Sequence, residues 1–233
     1  MRIVNLDRTF IIAFIMLILV GDRAVKADLY DVSADWSDTV NPNGVWSYWV
    51  NDTLASSYMR GGDPFYSPGQ PIWALWNYTY FGWSKSNGTN YYQWDLQVGD
   101  VYGHTSSGGS VDPLEIRWTS PLAGSVDVSG GVWAIRDIGR SNYWQLTLNG
   151  SVLTDGYVYS GDAYDRSNPF PINLNFNVDV GDIVAFTTWK TSTSQYGDYI
   201  ALDLSINVVP VPAAVLLGIL GLSVAGWELR KFA

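Results

Sequence analysis

The strongest constraint on this chain is the spacing of its apolar residues. Between residues 28 and 207 they recur at every second position in short runs, and no helical periodicity persists. Leu114, Ile116 and Trp118 alternate with Glu115, Arg117 and Thr119; Val126 and Val128 alternate with Asp127 and Ser129. Trp144, Leu146 and Leu148 alternate with Gln145 and Thr147, and Ile172, Leu174, Phe176 and Val178 alternate with polar partners. An extended chain sends successive side chains to opposite faces, so each run buries one face and wets the other. Turn signals separate the runs. Asn149-Gly150 predicts a two-residue type I′ hairpin, and Val180-Gly181-Asp182 turns the chain into Ile183–Thr187. A last strand is expected over Tyr199–Ile206. Short strands at this spacing predict an all-β antiparallel sandwich, jelly-roll-like at this length. Asn51 to Pro71 and His104 to Pro113, rich in Gly, Ser and Pro, read as long loops.

The two ends follow a different grammar. Arg2 and Arg8 precede an uncharged apolar run, Thr9–Val20, and then a short polar segment closing on Val25-Lys26-Ala27. That order predicts a secretory signal helix, cut between Ala27 and Asp28, because the run is too short to favour a membrane span. At the other end Val209-Pro210-Val211-Pro212-Ala213 precedes an uncharged run reaching Trp227, followed by Arg230 and Lys231. A run of about fifteen residues can form a hydrophobic helix crossing most of a bilayer core, with the basic end cytoplasmic. The expected divisions are a signal at 1–27, a β-domain at 28–207, and a C-terminal segment with a transmembrane helix at 208–233.

Proline motif, hydrophobic helix and basic terminus, in that order, resemble the PEP-CTERM sorting signals, and more closely their variant headed Val-Pro-Leu-Pro-Ala. Val211 stands where Leu or Glu is usual, and Glu228 interrupts the basic end. The resemblance implies a substrate of exosortase that reaches it through the Sec export machinery. It also implies a membrane anchor held until processing, and a destination at the cell surface or in the extracellular matrix beside exopolysaccharide. Asp35-Trp36-Ser37-Asp38, Asn41-Pro42-Asn43-Gly44-Val45-Trp46 and Arg117-Trp118-Thr119-Ser120-Pro121 resemble segments of a β-domain common in such proteins. That second resemblance implies a jelly roll like those of carbohydrate-binding modules, with no reaction assigned. From their own chemistry, Asn41 to Gly44 form a turn between strands.

Composition removes several functions. There is no cysteine, which excludes disulfides, thiolate nucleophiles and Cys-ligated zinc. Nineteen acidic residues against seven basic ones between 28 and 207 oppose nucleic acid and anionic lipid. The sole histidine, His104, sits among Thr105, Ser106 and Ser107 as a loop residue, which is weak ground for a triad. Glu115 with Asp112 is the nearest thing to a glycosidase pair, but Asp112-Pro113 reads as a turn, and Glu115 shares a strand face with Arg117. No catalytic residue and no cofactor is expected. Oxygen donors would take calcium before zinc; Asp155, Asp162 and Asp165, then Asp198 or Asp203, are the candidate ligands, at no EF-hand spacing.

Eleven of the twelve tryptophans lie between 28 and 207. Their densest cluster places Trp76, Tyr78 and Tyr80 on one face of an alternating segment, with Trp73, Leu75 and Phe81 on the other. Only one face of a half-buried strand enters a core, so the first set is the candidate sugar-stacking surface. Burial of both faces under a loop is the competing reading of the same residues. The expected protein is an exported, non-catalytic surface or matrix protein associated with polysaccharide. A structural envelope or matrix protein without a discrete ligand is the alternative, with a glycan-active hydrolase third.

Overall fold

The computed structural model describes residues 26–59, 70–75, 81–88, 94–105, 112–137, 139–159, 165–191 and 198–210. The N-terminal apolar run and the tail from Val211 lie outside them, as do Trp76, Tyr78, Tyr80 and Asp162. The described residues form fourteen strands and no helix. The first seven are β1 (Asp28–Asp31), β2 (Trp46–Val50), β3 (Thr53–Leu54), β4 (Ser56–Met59), β5 (Pro71–Ala74), β6 (Gly82–Lys85) and β7 (Val101–His104). The rest are β8 (Leu114–Thr119), β9 (Gly124–Ala134), β10 (Ser141–Leu148), β11 (Ser151–Tyr159), β12 (Phe170–Val178), β13 (Ile183–Lys190) and β14 (Tyr199–Pro210).

They pair antiparallel into two sheets. One runs β12-β9-β14-β7-β6-β5-β4, with β1 also on β14; the other runs β11-β10-β13-β8-β2-β3. The fold is an all-β antiparallel sandwich. Its core is made by the alternation of apolar and polar residues: Leu114, Ile116 and Trp118 from β8, Val126 and Val128 from β9, and Trp144 and Leu146 from β10 all turn inward and are buried. Trp46, Tyr48, Trp83 and Phe186 join them. Each such side chain stabilises the fold by about 2–3 kcal/mol on burial, which gives a cysteine-free domain its own core. The Asn149-Gly150 hairpin forms as expected, both residues at positive φ (50° and 80°), with Leu148 opposite Ser151.

Three expectations are corrected. Residues 51–71 are not loop throughout, because β3 and β4 occupy part of them and pair with β2 and β5. These strands are too short and exposed to show an apolar alternation. His104 is not a loop residue but the last residue of β7, opposite Tyr199 and Gly82. The last strand runs to Pro210 and not Ile206. Val209 and Pro210 pair with Ser125 and Gly124 of β9. Pro210 lies past the pairing of β1, which stops at Asp28 opposite Val208, so β14 has one neighbour there and tolerates proline. Val209 and Pro210 thus belong to β14.

The outer faces of the two sheets differ. On the larger sheet Tyr102, Trp133, Ile135, Tyr199 and Ala201 form a second cluster with Trp94 and Leu96 from the segment before β7. Arg166 holds that segment down, its backbone N–H on Asp95 (2.7 Å) and its guanidinium on Asp100 (2.8 and 3.1 Å). That end of the face is covered, whereas the outward residues of β12 and the first half of β9, Asn173, Asn175, Asp127 and Ser129 among them, are exposed and polar. The smaller sheet stays open towards β11, where Tyr157 is 61% and Tyr159 43% exposed.

Candidate functional site: an aromatic row on the smaller sheet

On β10 the inward set Asn142, Trp144 and Leu146 leaves Tyr143 and Gln145 pointing outward. The register then sets Tyr143 opposite Tyr157 of β11 on one side and Trp189 of β13 on the other. The three rings form one row across the strands, with centroids 4.9 Å and 4.8 Å apart and each neighbouring pair tilted by 58°. Tilted pairs of this kind suit the ring quadrupoles and hold the row together. The Tyr143 hydroxyl donates to the Asp155 carboxylate, which pushes the phenol up to about 12 and keeps it protonated.

A polar row lies beside the aromatic one. Gln145 is opposite both Asp155 and Thr187, Thr187 is opposite Glu115, and Glu115 is opposite Trp49. At that far end Arg117 is bound by Glu115 (2.5 Å) and Asp52 (3.1 Å), and its guanidinium lies 4.1 Å from the Trp49 ring centre. The face therefore offers one exposed ring, Tyr157, and two half-buried ones, Tyr143 and Trp189, next to the half-buried amide of Gln145 and the exposed carboxylate of Asp155, while Thr187 is buried. Flat rings stack on apolar faces of a ligand while the polar row takes its hydroxyls.

Trp76, Tyr78 and Tyr80 lie outside the described residues. Of the segment around them, Ile72, Trp73 and Ala74 on one side and Trp83 and Ser84 on the other are all buried, so the described flanks are enclosed on both faces. Asp155 belongs to the aromatic row. Asp165 closes a local turn, accepting from the Ser167 N–H and hydroxyl and the Asn168 N–H, which draws its carboxyl below the ordinary value. Among the described residues no three acidic or histidine side chains come together as metal ligands. Glu115 is engaged by Arg117, as the shared strand face implied.

His104 is buried, its ring 4.3 Å from that of Tyr199. Thr105 beside it accepts the Asp198 N–H (3.1 Å) and donates to Asn142 (2.7 Å), tying one sheet to the other. Tyr143, Tyr157 and Trp189 are not among the residues that the sequence singles out. The alternation Asp155, Tyr157, Tyr159 is a visible signal for β11, but the arrival of β13 beside β10 is not.

No protein-family model and no curated protein matches the sequence. Among solved structures, the adhesin domain of Lys-gingipain from Porphyromonas gingivalis is similar at TM-score 0.38 and 12% identity, covering 80% of this chain and 99% of that one. A family 51 carbohydrate-binding module from Clostridium perfringens, solved with methyl-galactose, is similar at TM-score 0.35 and 8% identity, covering 78% and 100%. The C-terminal family 6 module of a laminarinase from Zobellia galactanivorans is similar at TM-score 0.31 and 11% identity, covering 78% and 98%. At scores this low none of them assigns a fold family or a ligand to this chain.

Proposed function

We propose that this chain is an exported, non-catalytic surface or matrix protein that binds extracellular polysaccharide through the row Tyr157–Tyr143–Trp189. The observation that carries the reading is that row: three large rings in contact on the outer face of the smaller sheet, Tyr157 exposed and Tyr143 and Trp189 half-buried, in a domain whose other tryptophans are mostly buried. The jelly-roll form is part of the proposal. From β8 to β14 the chain changes sheet at every connection and stays in one sheet only at the β10–β11 hairpin, as a rolled-up Greek key does. Export rests on the N-terminal signal before Asp28, and sorting by exosortase rests on the tail. Strand β14 closes at Pro210 within the proline motif, so removal of the tail after that motif leaves the described strands whole.

The test is binding of the full chain to a panel of polysaccharides, including matrix extracted from the producing cells. Saturable binding that Tyr157→Ala weakens about tenfold or more, the loss of one stacked ring, supports the reading. A folded protein that binds nothing in the panel returns the chain to the structural matrix class.

A further inference from the structure

The aromatic row carries a charge signature, and any ligand preference drawn from that signature rests on the glycan-binding reading. Neither lysine nor arginine stands at an outward position of β10, β11 or β13; Lys190, the one cation in those strands, alternates inward and is buried. Their one acid, Asp155, is exposed within the row. Tyr143 donates to one of its oxygens, and the other takes no hydrogen bond among the described residues. Across the same face Arg117 is already engaged by Glu115 and Asp52. Arg136 and Arg140 act on Asp198, at the end of the sandwich. The chain as a whole carries a formal charge of −9.

We infer that the row selects a cationic glycan, a polymer of amino sugars with free amino groups, over neutral and uronate-bearing ones. An ammonium group over a tyrosine or tryptophan face is attracted by the ring quadrupole, and Asp155 adds a full negative charge at a fixed place beside those rings. A uronate chain meets the same carboxylate, and the acidic domain behind it, with the wrong sign. A neutral chain keeps the stacking and loses the charge contribution.

The experiment compares two probes of one backbone, a chitosan hexamer and its fully N-acetylated counterpart, by calorimetric titration into the full chain in detergent, below the pKa of the amino groups. The deacetylated hexamer is expected to bind about tenfold tighter, and Asp155→Asn is expected to erase that preference. Salt at about 1 M, where the Debye length is about 3 Å, is expected to erase it too. Tyr157→Ala is expected to weaken both probes. Equal affinity for the two hexamers, with Tyr157→Ala still harmful, overturns the charge selection and leaves the glycan reading in place. No binding of either hexamer or of any panel polysaccharide by a folded chain overturns both.

Discussion

Asp198 is the residue with the most at stake. Its side chain is 1% exposed at the end of the sandwich; one carboxyl oxygen accepts the Tyr199 N–H (2.8 Å) and the other has no partner among the described residues. Loss of hydration outweighs the nearby Arg140 and Arg136 and pushes the carboxyl up to about 6, from an ordinary value of 3.8. The folded domain therefore holds this proton more readily than the unfolded chain, and its stability rises as pH falls from about 6 towards 4. A shift of this size costs on the order of 3 kcal/mol at neutral pH. Asp203, raised first by burial and then by Asp31 and Asp100, acts in the same sense. Asp165 and Asp182 are lowered by local hydrogen bonds and act in the opposite sense, below about pH 4. Calorimetry should find a higher Tm at pH 5 than at pH 7.5. Asp198→Asn, which keeps an acceptor for Tyr199, should raise the Tm at pH 7.5 and flatten most of the dependence. A wild-type Tm that falls steadily between pH 7.5 and 5 would contradict this account of the buried carboxyl.

At the scale of elements, the strands that can be read from sequence are those with one wet face. β8, β9, β10 and β12 each put polar residues at alternate positions, so period and register follow from side chains alone. β5 is not legible in this way: Ile72, Trp73 and Ala74 are all enclosed, and a strand buried on both faces has no alternation to read. The candidate site is legible only in part. Tyr143 and Tyr157 come together through a hairpin whose Asn-Gly turn announces itself, whereas Trp189 arrives from β13 some forty residues on. Tertiary pairing, not local pattern, completes the row. Close approach of backbones also leaves a mark. Gly130 in β9 has φ +154°, and a Cβ there would lie 1.9 Å from the Asp203 carbonyl oxygen of β14. Gly130→Ala must part β9 from its neighbour β14 and should cost on the order of 3 kcal/mol. Urea unfolding should show the midpoint lowered at unchanged slope; an unchanged midpoint would mean that the strands do not meet so closely.

The whole molecule combines an acidic, self-sufficient sandwich with two ends that read as export and sorting signals. Strand β1 begins at Asp28, the residue expected to follow the signal, and β14 closes at Pro210, inside the proline motif that we propose as a sorting signal. Replacing Pro210 and Pro212 by Ala should leave the protein membrane-retained and unprocessed in its own cells, as fractionation and immunoblotting would report. Unchanged release of that double variant would remove exosortase sorting from the account. The central claim concerns the open face of the smaller sheet, and the most direct measurement is a titration of the polysaccharide bound best in the panel into wild type, Tyr157→Ala and Trp189→Ala. We expect both variants to bind about tenfold more weakly or worse, with Tm values close to wild type, since each removes a ring from the surface row. Equal binding by all three would show that the row is not where this protein meets its ligand.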